Sequence, residues 1–133
     1  MEKIFVDTSA LFALVNTSDE KHILAWDMWN EFLMQDAKLI TNNYVMVESI
    51  ALIQNRLGIQ VVRQFNINIA SLLQILWIDE EQHIAITDRL FSANRRQLSH
   101  VDCSSFETMR RLKIEKAFTF DKHFREQGFD VIP

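Results

Sequence analysis

Four acidic residues stand where carboxylates are costly or unexpected. Asp7 follows the apolar run Ile4-Phe5-Val6, and Asp121 follows Ala117-Phe118-Thr119-Phe120. A carboxylate at the end of a buried segment is expensive unless it is paired, hydrogen-bonded or bound to a metal. Glu48 has Val45 at i−3 and Leu52 at i+4, and an acid between such helical neighbours is expected to point inward. Asp102 lies in LSHVDCSSFETM, where it caps or begins a helix. Singly, each acid reads as structural. Gathered at one point, three or four carboxylates repel one another and need a cation. All-oxygen ligation suits Mg2+ or Mn2+, which keep some waters and leave positions for a substrate phosphate. Such an ion activates water and stabilises the leaving oxygen in phosphodiester hydrolysis. Asp88, between Ile84 and Phe91, is set aside as a helix-surface acid.

Other chemistries lack their residues. There is no Gly-rich phosphate loop and no Gly-x-Ser-x-Gly elbow. His22, His83, His100 and His123 are scattered without a His-x-x-x-His pair and read as surface or structural residues. Ser104 and Ser105 lack an evident base and read as first-turn helix residues. Cys103 is the only cysteine, which excludes an internal disulfide and a cysteine zinc site. It fits a reducing, cytoplasmic setting. No apolar run approaches the ~18–20 residues of a membrane helix, and the start of the chain has no signal-peptide pattern.

The elements that must position the acids follow from periodicity. At 133 residues and 48% hydrophobic content, one domain with a real core is expected. Ile4–Val6, Leu39–Thr41, Ile75–Ile78, Ala117–Phe120 and Val131–Ile132 are short apolar runs, typical of strands covered on both faces of a parallel sheet. Between them the period is helical. Thr17-Ser18-Asp19-Glu20 has capping-box form, followed by Ile23, Trp26, Trp29 and Leu33 on one face. Met46, Ile50, Ile53 and Leu57 form a second stripe, which Gly58 is placed to end. Val61–Leu73, Glu81–Leu98 and Asp102–Leu112 can be helical too. Strands alternating with helices indicate a three-layer α/β domain. Asp7 and Asp121 then lie at carboxyl ends of parallel strands, where ligand sites form.

Charge is unevenly spread. Residues 1–88 carry 5 basic and 12 acidic side chains, whereas residues 89–125 carry 9 basic and 4 acidic. The basic part includes Arg95, Arg96, Arg110 and Arg111, which are candidates for phosphate contacts or else a solvated helix surface. Trp26, Trp29 and Phe32 make an aromatic-rich helix that core packing explains at least as well as an interface does.

The opening VDTSALFAL, Glu48, the segment LSHVDCSSFETMRRLKIEKAFTFDKHF and the closing GFDVI together resemble a PIN domain, specifically its VapC-type toxin group. The resemblance spans almost the whole chain, with residues 59–86 not diagnostic. It implies a central, mostly parallel five-stranded sheet between helices, and cleavage of single-stranded RNA or of exposed loops in structured RNA, using Mg2+ or Mn2+. By position, it assigns the metal-holding and catalytic acids to Asp7, Glu48, Asp102 and Asp121, with Ser9 as a supporting hydrogen-bond partner. It further implies a homodimer held inactive by a cognate antitoxin protein. Competing readings fit less well. A haloacid-dehalogenase-like phosphatase wants a second acid two residues after Asp7, where Ser9 stands. A receiver module wants an acidic pair after the first strand, which is missing. A non-catalytic PIN-like interaction module remains the alternative, against which the intact acids argue.

Overall fold

The computed structural model describes residues 1–133. The apolar runs form five strands, β1 (Lys3–Val6), β2 (Lys38–Asn42), β3 (Gln74–Leu76), β4 (Lys116–Phe118) and β5 (Asp130–Ile132). Ile4, Phe5, Val6, Leu39, Ile40, Ala117 and Phe118 are buried, so the central strands are covered on both faces. Every pair is parallel, in the order β3-β2-β1-β4-β5. Phe5 faces Ile40 on one side and Ala117 on the other. The chain winds outward from β1 through β2 to β3, then returns to lay β4 along the free flank of β1. The β1/β4 boundary is therefore the topological switch point, with a crevice outside its carboxyl ends.

Seven α-helices complete a three-layer α/β fold: α1 (Thr8–Val15), α2 (His22–Met34), α3 (Asn43–Leu57), α4 (Ile59–Asn68), α5 (Glu80–Ala93), α6 (His100–Leu112) and α7 (His123–Glu126). The stretch after Asp7 is the most enclosed of them. Thr8, Ala10, Leu11, Ala13 and Leu14 of α1 are all buried, as expected for a helix apolar nearly all round. Trp29, Phe5, Phe65, Phe118 and Phe124 are the bulkiest fully enclosed side chains. Each contributes on the order of 2–3 kcal/mol through the apolar area it removes from water. Phe124 packs edge-on to Phe106 and tilted on Phe5, which anchors the short α7 to both α6 and β1.

Several local expectations need correction. Thr17–Glu20 is not a capping box: the segment is a turn, and α2 starts at His22 with no side-chain cap. Asp19 instead accepts the Lys21 N–H, so the Asx turn takes the carboxylate that a cap would need. Helix α2 buries Ala25, Trp29 and Phe32, while Ile23 and Leu33 are exposed. Trp26 is half-buried and donates its indole N–H to Leu14 O at 2.9 Å, so core packing accounts for the aromatic residues of this helix. Gly58 does end α3, with φ +94°, and α4 starts immediately after it. The expected helix Val61–Leu73 is divided into α4 and a 3-10 turn at Ala70–Leu72, while α5 stops at Ala93 with Asn94 left-handed. No helix is long and apolar enough to cross a membrane.

Candidate metal centre

Asp7 leaves β1 and caps α1. Its Oδ2 accepts three donors: the Ser9 N–H at 3.3 Å, Ser9 Oγ at 2.7 Å and Thr119 Oγ1 at 2.9 Å. Its Oδ1 accepts none of these and is left for another partner. The two hydroxyls reach further, because Ser9 Oγ accepts the Phe120 N–H at 2.9 Å and Thr119 Oγ1 accepts the Asp121 N–H at 3.0 Å. One buried carboxylate thus holds the backbone that carries the next acid. Burial pushes the Asp7 pKa up to about 6, the Ser9 and Thr119 hydrogen bonds pull against it, and the charge of Asp102 adds to the rise.

Asp102 is the third residue of α6 and the far half of a capping box. Its Oδ2 accepts the Ser99 N–H, and its own N–H donates to Ser99 Oγ, each at 3.0 Å. The box uses one carboxylate oxygen and leaves Oδ1 free. Burial raises the Asp102 pKa and the Asp121 charge adds to the rise, while the Ser99 N–H and His123 oppose it. Asp121 Oδ1 accepts the His123 N–H at 2.9 Å, an Asx turn that starts α7. Asp102, Asp121 and His123 each present a ligating atom, all within 4.8 Å of one another. His123 Nδ1 lies 2.9 Å from Asp121 Oδ1, yet it is enclosed and makes no hydrogen bond.

The structure therefore brings Asp7, Asp102 and Asp121 to the carboxyl side of the switch point. Glu48 differs from the inward orientation expected of it. The buried stripe of α3 is Val45, Met46, Ser49 and Ile53, turned toward Val45 relative to the expected Met46/Ile50/Ile53/Leu57 face. That rotation leaves Glu48 exposed on the flank, lining a hollow of about 450 Å3 with Asn43, Tyr44, Val47, His83 and Val101. Val101 precedes Asp102, so the hollow that Glu48 lines adjoins the cluster and Glu48 stands at its rim. Asp88 is exposed and lines a separate cleft with Leu98, Cys103 and Arg110.

Arg95 and Arg96 are exposed in the connection that leads into α6, with Arg95 3.4 Å from Glu126. Arg110 and Arg111 lie at the other end of α6. Arg110 is engaged there, donating to Gln127 Oε1 at 2.9 Å and covering the Phe129 ring.

Several supporting residues carry little signal in the sequence. Thr119 is an unremarked strand-end hydroxyl between two phenylalanines. Asn42 caps α3 through Val45 N–H and donates to Ser104 Oγ and Thr108 Oγ1, tying the end of β2 to α6. Ser104 and Ser105 lie in the second turn of α6 rather than the first, because the helix starts at His100; both are fully buried and donate to Val101 O. His123, which reads like the other histidines as surface or structural, had one signal, the Asp-x-His spacing directly after a strand.

These residues fit a hard or borderline divalent cation. Two carboxylates and an imidazole converge, one imidazole nitrogen is enclosed without a partner, and Asp7 and Asp102 each keep an oxygen free.

The PIN-domain sequence pattern matches residues 4–130. The chain is 30% identical over 127 residues, 95% of each chain, to the 23S rRNA-specific endonuclease VapC20 of Mycobacterium tuberculosis. Among solved structures it is similar to M. tuberculosis VapC20, a sarcin-ricin loop cleaving toxin, with TM-score 0.84, 28% identity and 95% of both chains covered. In fold alone it is similar to VapBC2 from Rickettsia felis, bound to a promoter DNA fragment. That match has TM-score 0.71 and 10% identity, covering 98% of this chain and 97% of the other.

Proposed function

This chain belongs to the PIN-domain family, and from that premise we propose that it is a divalent-metal-dependent endoribonuclease, the toxin of a toxin–antitoxin pair. The observation that carries the reading is the convergence of Asp102 and Asp121 beside buried Asp7 at the switch point. The similarity to a 23S rRNA-specific endonuclease over 95% of the chain supports RNA as substrate and makes a ribosomal RNA loop the first one to test.

In this proposal Asp7, Asp102 and Asp121 hold a Mg2+ or Mn2+ ion. Glu48 joins them as an exposed rim acid with no hydrogen bond of its own to break. When bound, the ion supplies Lewis acidity to the scissile phosphate and to the attacking water. The protein's part is positioning. Three donors on Asp7 Oδ2 prevent the carboxylate from rotating, and the Ser99 box does the same for Asp102. Such pre-orientation spares reorganisation at the moment of reaction. Hydrolysis adds the water oxygen to phosphorus and releases a ribose oxygen, which takes up a proton. Arg95 and Arg96, on the approach to α6, are placed to meet flanking phosphates, and Arg111 and Arg110 to meet more distant ones.

The same proposal includes a cognate antitoxin as inhibitor, a homodimer and a cytoplasmic location, all within one PIN-like domain. Val47, Trp77, Ile84 and Phe91 are exposed apolar side chains available for such contacts. The test is incubation of the purified protein with a structured-loop RNA, first with chelator and then with added Mn2+ or Mg2+. Cleavage that needs the ion and is lost in Asp121→Asn supports the reading. Intact RNA in the presence of folded, metal-loaded protein overturns it.

A further inference from the structure

We propose that His123 is a nitrogen ligand of the metal centre and biases it toward manganese-class ions over magnesium. This rests on the metal-dependent reading above and concerns a residue outside the acidic set.

The geometry is one that two ligands sharing an ion would give. His123 Nδ1 and Asp121 Oδ1 are 2.9 Å apart, a separation that a hydrogen bond would also give. Direction argues against the hydrogen bond. Nδ1 has no hydrogen-bond partner at all, Asp121 included, so its ring N–H direction does not run to the carboxylate. Neighbouring ligands at bond lengths of about 2.1 Å on an octahedral ion lie about 3 Å apart, without any bond between them. The Asp102 carboxylate completes a group whose atoms lie within 4.8 Å of one another.

The position of the ring is built, not incidental. Asp121 Oδ1 fixes the His123 backbone through the N–H at 2.9 Å, and fully buried Phe124 locks the next residue between Phe5 and Phe106. An enclosed imidazole nitrogen with no partner is costly, and ligation removes that cost. Imidazole also changes the donor set. Oxygen-only sites suit Mg2+, which gives up its waters reluctantly, whereas a nitrogen donor favours first-row ions such as Mn2+ and those beyond it.

The experiment is Mn2+ titration of the metal-free protein, with pulsed electron paramagnetic resonance on the bound ion. The expected result is a directly coordinated nitrogen signal that changes when the histidines carry 15N. It disappears in His123→Asp and persists in His100→Gln, whose ring nitrogen Nε2 contacts Thr87 Oγ1 at 3.0 Å. The ratio of Mn2+ to Mg2+ affinity falls about tenfold in His123→Asp, a difference of about 1.4 kcal/mol. Bound Mn2+ without a histidine nitrogen signal overturns the inference and leaves the nuclease reading standing if RNA is still cut. Failure of the protein to bind any divalent ion overturns both. The isotope measurement on the unaltered chain tests the ligation directly, even if the variant does not fold.

Discussion

Thr119 and Asp7 are 112 positions apart in the chain and joined by a 2.9 Å hydrogen bond from hydroxyl to carboxylate. The same hydroxyl accepts the Asp121 N–H, so one side chain spans two acids. Thr119→Val keeps the shape and removes the bridge. It is expected to cost about 1–3 kcal/mol in urea denaturation, because a buried carboxylate oxygen and an amide both lose a partner. Cleavage should fall at least tenfold, while Thr119→Ser retains most of both.

Asp7 links stability to pH. Its folded pKa, about 6, lies above the ordinary 3.8, so between those values the folded state binds the extra proton. The contribution is fully present below pH 4 and is lost as pH rises through 6, by on the order of 3 kcal/mol. Metal-free protein should therefore melt lower at pH 7 than at pH 4.5 so far as Asp7 is concerned, and Asp7→Asn should flatten that slope. At pH 7 the metal-free variant should melt at or above the parent, lose most of the metal-induced rise in Tm, and cut no RNA. A variant that melts several degrees lower and still cuts RNA would reduce Asp7 to a helix cap.

Asp102 has a cap role and a proposed ligand role, and these can be separated. Asp102→Asn keeps an acceptor for the Ser99 N–H, so stability should change by less than about 1 kcal/mol while metal affinity drops at least tenfold. Ser99→Ala should do the reverse, costing about 1 kcal/mol with metal binding retained. Calorimetric titration and thermal melts on both variants check the pair. Equal losses of metal binding would show that Asp102 acts only through the cap.

Glu48 is exposed, so Glu48→Gln should leave Tm within about 1 °C of the parent, as expected for a surface change. If the rim position serves the reaction, single-turnover cleavage should fall more than tenfold at saturating metal. Unchanged cleavage would remove Glu48 from the site.

The arginine pairs should differ. Arg95→Ala with Arg96→Ala should weaken RNA binding and flatten its salt dependence, as lost phosphate contacts require. Arg110→Ala with Arg111→Ala should also lower stability, since Arg110 covers Phe129 and bonds Gln127. Unaltered RNA affinity in both double variants would leave the basic segment as solvated surface.

What the sequence discloses and what it hides divide on physical lines. The five strands were legible within a residue or two, because apolar runs such as Ile4–Val6 and Leu39–Thr41 are short and bounded. The places of Asp7 and Asp121 just past strand ends, and of Asp102 at a helix start, followed from the same runs. Their grouping with Glu48 into one site was what the resemblance implied. Helical phase was harder. Helix α2 has apolar residues around much of its circumference, and periodicity does not say that Trp29 and Phe32 face inward while Ile23 and Leu33 do not. The same ambiguity misplaced Glu48, whose orientation depends on how far α3 rolls toward Val45. Thr119 and His123 were hidden for another reason. Their roles arise from hydrogen bonds across a strand end and a turn, which spacing alone does not encode.

The sheet order also sets an order of birth. Strand β1 has β2 as a neighbour early in synthesis, but its other edge waits for Lys116–Phe118. A nascent chain, growing at about 5–20 residues per second, carries Asp7 and Glu48 long before Asp121 and His123 exist. Pairings between such distant segments are also slow to form. The crevice is therefore unfinished until β4 slots beside β1, and whatever reaction it performs is withheld from the growing chain until folding is nearly complete.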